Sequence, residues 1–230
     1  IAAIDGTTLT NVLQEAADNN IPVIAYDRLI RDSENVNYYA TFDNFLVGQQ
    51  QAWTLLNGLG LTELDGTPIA DAPAGPFNIE LFAGSLDDNN AFFFFNGAMD
   101  VLQPLIDKGT LVVKSGQTNF NQVAILRWDP ATAKARMQDL IAKSYSTGAA
   151  VQGVLSPYDG LSDGILSALE GAGYGSGGKQ IPIITGQDAD QAKVKAILDG
   201  AQSMTVWKDT RALGDRVFTM VQEIKDGKEV

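Results

Sequence analysis

Acids, amides and bases recur in this chain at the ends of short apolar runs, where polar groups could meet a ligand. Asp27-Arg28 closes the run from Ile21 to Tyr26, Asp43-Asn44 closes Asn37 to Phe42, and Asp87-Asp88-Asn89-Asn90 follows Asn78 to Ala83. Tyr158-Asp159 follows Val151 to Leu155, Gly186-Gln187-Asp188 follows Ile181 to Thr185, and Lys208 follows Met204 to Trp207. Taken alone, Asp-Arg reads as a salt-bridged loop, and half of the aspartates read as helix N-caps. Recurrence changes that reading. Carboxylates are fixed acceptors, while amides, lysine and arginine supply donors. A ligand rich in hydroxyls needs both, because each hydroxyl donates and accepts. Charged partners make the stronger bonds, and one carboxylate or guanidinium can serve two adjacent hydroxyls. Trp128 or Phe120 could cover the apolar C–H face of a sugar ring.

The elements that must position these groups alternate. Ile21 to Tyr26 is β-branched and apolar, enters after a proline and is too short for a core helix, so it reads as a buried parallel strand. The opening residues Ile1 to Ile4 read as the tail of a strand, and Asp5 or Thr7 as the cap of a helix carrying Leu9, Val12, Leu13, Ala16 and Ala17 on one face. Strands are expected at Asn37 to Phe42, Asn78 to Ala83, Leu111 to Val113, Val151 to Leu155, Ile181 to Thr185 and Met204 to Trp207. Helices fall between them. One carries Phe45, Gly48, Ala52, Leu55, Leu56 and Leu59 inward. One contains Phe92 to Phe95, four phenylalanines that cover its full circumference. One opens on Asp129-Pro130, an N-cap with proline at N1. The last buries Leu213, Val217, Met220, Val221 and Ile224. Gly60 to Pro76, with three prolines, is a surface loop. Gly171 to Gly178 follows a helix and precedes a strand, the reverse of a phosphate-cradling loop, and reads as a flexible connection. Strand and helix in alternation make an α/β protein with parallel sheets, whose ligands bind beyond the carboxyl ends of the strands.

Composition narrows the chemistry. The 230 residues carry 16 Lys and Arg against 28 Asp and Glu, a net charge of −12, which argues against a nucleic-acid surface. There is no cysteine and no histidine. Thiolate nucleophiles, sulfur-ligated zinc and a Ser-His-Asp triad are therefore excluded, and binding stands ahead of catalysis. Asp87-Asp88 could be half of a glycosidase pair, but paired acids at a helix start usually serve the cap and the dipole. Asp188-Ala189-Asp190 begins like a calcium loop yet lacks its glycine and terminal glutamate. No catalytic residue, metal site or cofactor is expected. No apolar run reaches membrane-spanning length.

At these same residues the sequence resembles the periplasmic monosaccharide-binding proteins of ABC importers, most of all their xylose-binding and multiple-sugar-binding (ChvE-type) branch. The likeness is carried by Ile21 to Arg28, Thr41-Phe42-Asp43-Asn44, Gly84 to Ala91, Arg127-Trp128, Ser156 to Gly160, Gly186 to Asp190 and Met204 to Lys208, and it runs essentially the whole length. It implies a type I periplasmic binding protein: two Rossmann-like lobes with parallel sheets and the sugar in the cleft between them. The first lobe would be 1–42 plus 209–230 and the second 43–208. By the same comparison the sugar contacts are Asp27, Arg28, Asp88, Asn90, Asp188 and Lys208, with Trp128 stacking and Tyr158 where the xylose binders have Asn. Phe95 replaces an arginine expected in the helix after Asp88.

The function so implied is capture of an aldopentose or aldohexose and its delivery to an ABC permease in the periplasm, without catalysis and without insertion into the membrane. A chemosensory or sensor-kinase receptor is a further expected partner. The alternatives are the effector domain of a sugar-responsive transcription regulator and a carbohydrate-acting enzyme. The family's first strand, helix and second strand and its last crossing strand have no counterpart here. The chain is thus expected to be a fragment with an incomplete first lobe and an association-prone strand edge.

Overall fold

The computed structural model of the chain describes residues 1–176 and 178–230. Two compact units emerge: Ile1–Asn44 with Asp87–Asn90 and Lys208–Val230, and Phe45–Leu86 with Ala91–Trp207. The sequence expectation divides the chain near 42 and 208 and lacks the excursion at Asp87–Asn90.

Unit 1 contains α1 (Thr10–Asp18), the parallel strands β1 (Ile24–Tyr26) and β2 (Tyr38–Ala40), and a C-terminal helix at Thr210–Lys225. The two strands pair Ile24 with Tyr38 and Tyr26 with Ala40. Residues 1–4 form no strand of their own, but the Ile1 backbone lies beside β1, where its amino group donates to the Ile24 carbonyl at 2.7 Å and its carbonyl accepts the Tyr26 N–H at 2.9 Å. Neither Asp5 nor Thr7 caps α1. Leu9 holds the N-cap position without a side-chain bond, and the Asp5 carboxylate instead accepts the N–H and hydroxyl of Thr7. The helix starts later than expected because Asp5 spends its acceptor on a local turn. Two small clusters make the core: Leu13, Val23, Ala25 and Ile30 form one, and Ala40, Leu213 and Met220 the other.

Unit 2 is a four-stranded parallel sheet of β3 (Phe77–Leu81), β4 (Leu111–Val113), β5 (Gly153–Leu155) and β6 (Ile183–Ile184), in the order β4-β3-β5-β6. Around it run α2 (Asn44–Gly58), α3 (Asn89–Asp107), the short α4 (Phe120–Val123), α5 (Pro130–Ser144), α6 (Asp159–Gly171) and α7 (Gln191–Leu198); the C-terminal helix of unit 1 is α8. Asp129 caps α5 as expected, accepting the N–H groups of Ala131 and Thr132, with Pro130 in the first turn. Met204 to Trp207 does not form a strand; it makes a single parallel bridge, Val206 with Gln187. Phe45, expected inward, is exposed, while Gly48, Ala52, Leu55 and Leu56 of the same helix are buried as expected and Val47 and Gln51 join them. Of the four phenylalanines, Phe94 and Phe95 are buried and Phe93 is exposed, as one helical turn requires. Gly177, within the Gly171 to Gly178 connection, lies outside the described residues.

The winding of the sheet reverses between β3 and β5, since β4 adds on one side of β3 while β5 and β6 add on the other. The carboxyl ends of β3 and β5 therefore bound the crevice in which open α/β sheets place ligands.

Candidate binding site

In unit 1 the polar groups gather at the carboxyl end of β1. Asp27 has φ +61°. The Arg28 N–H closes a tight turn onto the Tyr26 carbonyl at 2.8 Å, with Asp27 at its centre. The Asp27 carbonyl accepts the Thr41 hydroxyl at 2.9 Å and the Asn90 side-chain amide at 2.9 Å, and lies 3.1 Å from the Tyr39 hydroxyl. That hydroxyl also lies 2.9 Å from Asn90 Oδ1, so its single proton serves one acceptor at a time. Burial, with Asp27 and Asp88 nearby, raises the Tyr39 pKa.

Arg28 does not pair with its neighbour Asp27. Its Nε meets Asp88 Oδ2 at 3.0 Å, and its Nη1 donates to the Ile4 carbonyl. Asp88 is buried, and its other oxygen accepts the Asn90 N–H at 3.0 Å, capping α3. The salt-bridge and cap roles read from sequence thus both exist, on Asp88 rather than on Asp27. Lys208, half-buried, sits 5.7 Å above the Phe42 ring. Unit 1 therefore brings together Asp27, Arg28, Asp88 and Asn90, with Tyr39 and Thr41 as supports that sequence reading did not single out.

In unit 2 the aromatic groups gather at the reversal point. Arg127 and Trp128 have φ +57° and +54°, in a 3-10 turn pinned by the Arg127 N–H on Ser85 Oγ at 2.7 Å. A bulky residue in this left-handed region is a conformational outlier, held only where its surroundings insist on it. The Trp128 indole lies against Gly84, where a Cβ would come within 2.1 Å of the ring. Tyr158 meets Trp128 edge-on, with centroids 5.9 Å apart at 88°, and Phe94 stands at 6.4 Å. Phe120, the other aromatic considered for the sugar face, stacks on Phe92 at 4.2 Å instead. Burial, with Asp190, Asp188 and Asp159 around it, raises the Tyr158 pKa.

Asp188 is exposed at the tip after β6, with φ +94°, and its N–H donates to the Val206 carbonyl at 2.9 Å. Gln51, buried on α2, ties two tips together by donating to the carbonyls of Gly186 at 3.1 Å and Pro157 at 3.3 Å. Unit 2 thus brings Trp128 and Tyr158 into contact and sets Asp188 on a separate tip of the same sheet. No group of three or more acids among the described residues is arranged to hold a metal ion, and no helix among them is long and apolar enough to cross a membrane.

Parallel sheets with polar tips, and aromatic rings gathered at the winding reversal, make an α/β protein of the type I periplasmic binding protein fold. The chain belongs to the periplasmic binding protein domain family, whose profile matches residues 1–229. It is 60% identical over 228 residues to the multiple sugar-binding periplasmic receptor ChvE of Rhizobium radiobacter, covering 99% of this chain and 62% of that protein. It is 33% identical to the D-xylose-binding periplasmic protein of Escherichia coli, covering 100% of this chain and 61% of that one. Among solved structures it is similar to an ABC transporter solute binding protein from Clostridium phytofermentans with bound β-D-glucose. There the TM-score is 0.88 at 46% identity, covering 100% of this chain and 67% of that one. The chain thus spans about 62% of the length of the first of these curated relatives.

Proposed function

We propose that this chain carries the sugar-contacting residues of a monosaccharide receptor that captures an aldopentose or aldohexose and hands it to an ABC-type permease. It does so without catalysis, as an exported periplasmic protein. The residues assigned to the sugar are Asp27, Arg28, Asp88, Asn90, Lys208, Trp128, Tyr158 and Asp188. Carboxylates accept hydrogen bonds from the hydroxyls, Arg28, Lys208 and Asn90 donate, and the Trp128 and Tyr158 rings cover the C–H face of the sugar. The observation that carries this reading is where backbone strain falls. Asp27 and Asp188 hold left-handed backbone at the tips after β1 and β6, and Trp128 holds it in the 3-10 turn before α5. Such strain persists where surrounding structure over-determines it, and it clusters at ligand clamps. The relatives at 60% and 33% identity are named as periplasmic sugar binders, which favours transport over the effector domain of a regulator.

Calorimetric titration of the protein at its full natural length with pentoses and hexoses tests the assignment, with tryptophan emission as a second readout. At least one sugar should bind saturably and shift the emission, and Trp128→Ala should weaken that sugar while Trp53→Ala does not. Nitrophenyl glycosides should remain unhydrolysed. Equal, small effects of both tryptophan variants would return Trp128 to a packing role.

A further inference from the structure

Asp159 is a fully buried carboxylate at the first turn of α6, outside the set assigned to the sugar. Its Oδ1 accepts the Gln202 side-chain amide at 2.8 Å, and its Oδ2 accepts the Thr205 hydroxyl at 2.9 Å and the Asp190 N–H at 3.1 Å. The Thr205 oxygen in turn accepts the Ala189 N–H at 3.0 Å. With Asp188 N–H on the Val206 carbonyl, three consecutive amides of the tip are held, two of them through this one carboxylate. Asp188 and Ala189 are the residues of that tip with left-handed φ, +94° and +53°. Gly186 makes room for the arrangement. A Cβ there would fall 2.2 Å from Asp159 Oδ1 and 2.4 Å from Gln202 Nε2, so a side chain at 186 would displace the carboxylate.

We infer that Asp159 is a positioning residue for ligand binding: it clamps the backbone of 188–190 so that the Asp188 carboxylate is presented in one orientation before the sugar arrives. This rests on the assignment of Asp188 to the sugar. Ordering the tip in the free protein removes an entropic cost from binding. A buried carboxylate is a poor device for stability alone, because its desolvation opposes the charge that the three donors favour. The charged and titratable groups facing it are Asp190 at the N-cap of α7, the buried Lys193 on α7, and Tyr158 just before α6; Lys193 is itself paired with Asp163 one turn along α6. Burial raises the Asp159 pKa above the ordinary carboxylate range, while Gln202, Thr205 and the Asp190 N–H pull it down. A proton on either oxygen would oppose one of those donors and loosen the tip as pH falls.

The test compares Asp159→Asn, Gly186→Ala, Thr205→Val and Thr205→Ser with Asp188→Asn in the protein at its full natural length. Sugar titration and amide hydrogen exchange are the readouts. Asp159→Asn, Gly186→Ala and Thr205→Val should each weaken binding about tenfold or more, the scale expected when a contacting group is misplaced. Exchange at 188–190 should quicken while Gly153–Leu155 stays protected, and Thr205→Ser should restore what Thr205→Val loses. Wild-type affinity should begin to fall on acidification above the ordinary carboxylate range, and Asp159→Asn should lack that limb. Should Asp159→Asn fail to fold, the two Thr205 variants carry the same comparison. Weakened binding in Asp188→Asn with unchanged affinity in the other variants overturns the clamp and leaves the sugar assignment standing. Unchanged affinity in Asp188→Asn overturns that assignment, and the clamp's role in binding with it.

Discussion

Asp27 and Asp88 are both acids at strand ends, yet their surroundings divide the labour between them. Asp88 is committed twice, to the Arg28 guanidinium and to the N-terminus of α3, so its loss removes a cap and leaves a partly buried cation short of a partner. Asp27 supports its surroundings through its carbonyl, which Thr41 and Asn90 hold, while its carboxylate side chain is half-buried. Asp27→Asn keeps the size and the tolerance of left-handed φ that Asp and Asn share. It should therefore leave apo stability within about 0.5 kcal/mol. Binding should fall by about 1.5–3 kcal/mol, the value of a hydrogen bond to a charged group. Urea unfolding and calorimetric titration of the same variant check both halves. A large stability loss with unchanged affinity would instead make Asp27 a turn residue and nothing more.

At the scale of elements, α2 and α3 cross where each presents a glycine to the other's backbone. A Cβ on Gly48 would lie 2.0 Å from the Phe94 carbonyl oxygen, and one on Gly97 2.0 Å from the Phe45 carbonyl oxygen. In an open helix, Gly→Ala gains roughly 0.5–1 kcal/mol from backbone entropy. Here that gain is overridden, because the obstacle is main chain and no rotamer can move it aside. Gly48→Ala should destabilise by about 1–3 kcal/mol, the usual cost of overpacking. Gly214 on α8 is the control, with no atom near its hypothetical Cβ, and Gly214→Ala should stabilise. Urea midpoints of the pair decide the matter, and equal shifts of the same sign would refute the crossing as the cause. A second element-level feature is Glu80, buried in β3, where Ser115 donates to it at 2.6 Å and Tyr145 at 2.9 Å. A glutamate inside an apolar run marks such a network in the sequence, but its partners stand far along the chain.

For the molecule as a whole, charge and apolar exposure act against each other. The net charge of −12 keeps copies apart through repulsion. Unit 1 nonetheless exposes Ile4 at 89%, Phe218 at 66%, and Val12 and Ile21 at 57% each, around a core of two small clusters. A polypeptide of these 230 residues should self-associate, and more so at high salt, where the repulsion is screened while apolar contact is not. Light scattering behind size exclusion at low and high salt measures this, and Phe218→Ser should reduce it. A monodisperse 24.6 kDa particle under both conditions would contradict the expectation.

Much was settled by local chemistry. Apolar runs alternating with amphipathic ones favour parallel strands covered by helices, and Asp129-Pro130 caps and opens α5 through contacts within one turn. The tips were legible too, since a polar residue beyond a buried strand has few other places to stand. Less legible were contacts between segments distant in the chain. Arg28 chose Asp88, sixty residues on, over the acid beside it, because the segment Asp87–Asn90 returns to unit 1. Asp5 lost its helix to a turn, and Met204 to Trp207 lost its strand, keeping only the Val206–Gln187 bridge. Asp159 read as one tip acid among several until Gln202, Thr205 and Asp190 converged on it. Periodicity and capping act over a few residues and so are written in the sequence. Which donor meets which acceptor depends on chain reversals that bring remote residues within 3 Å, and only the tertiary structure decides that.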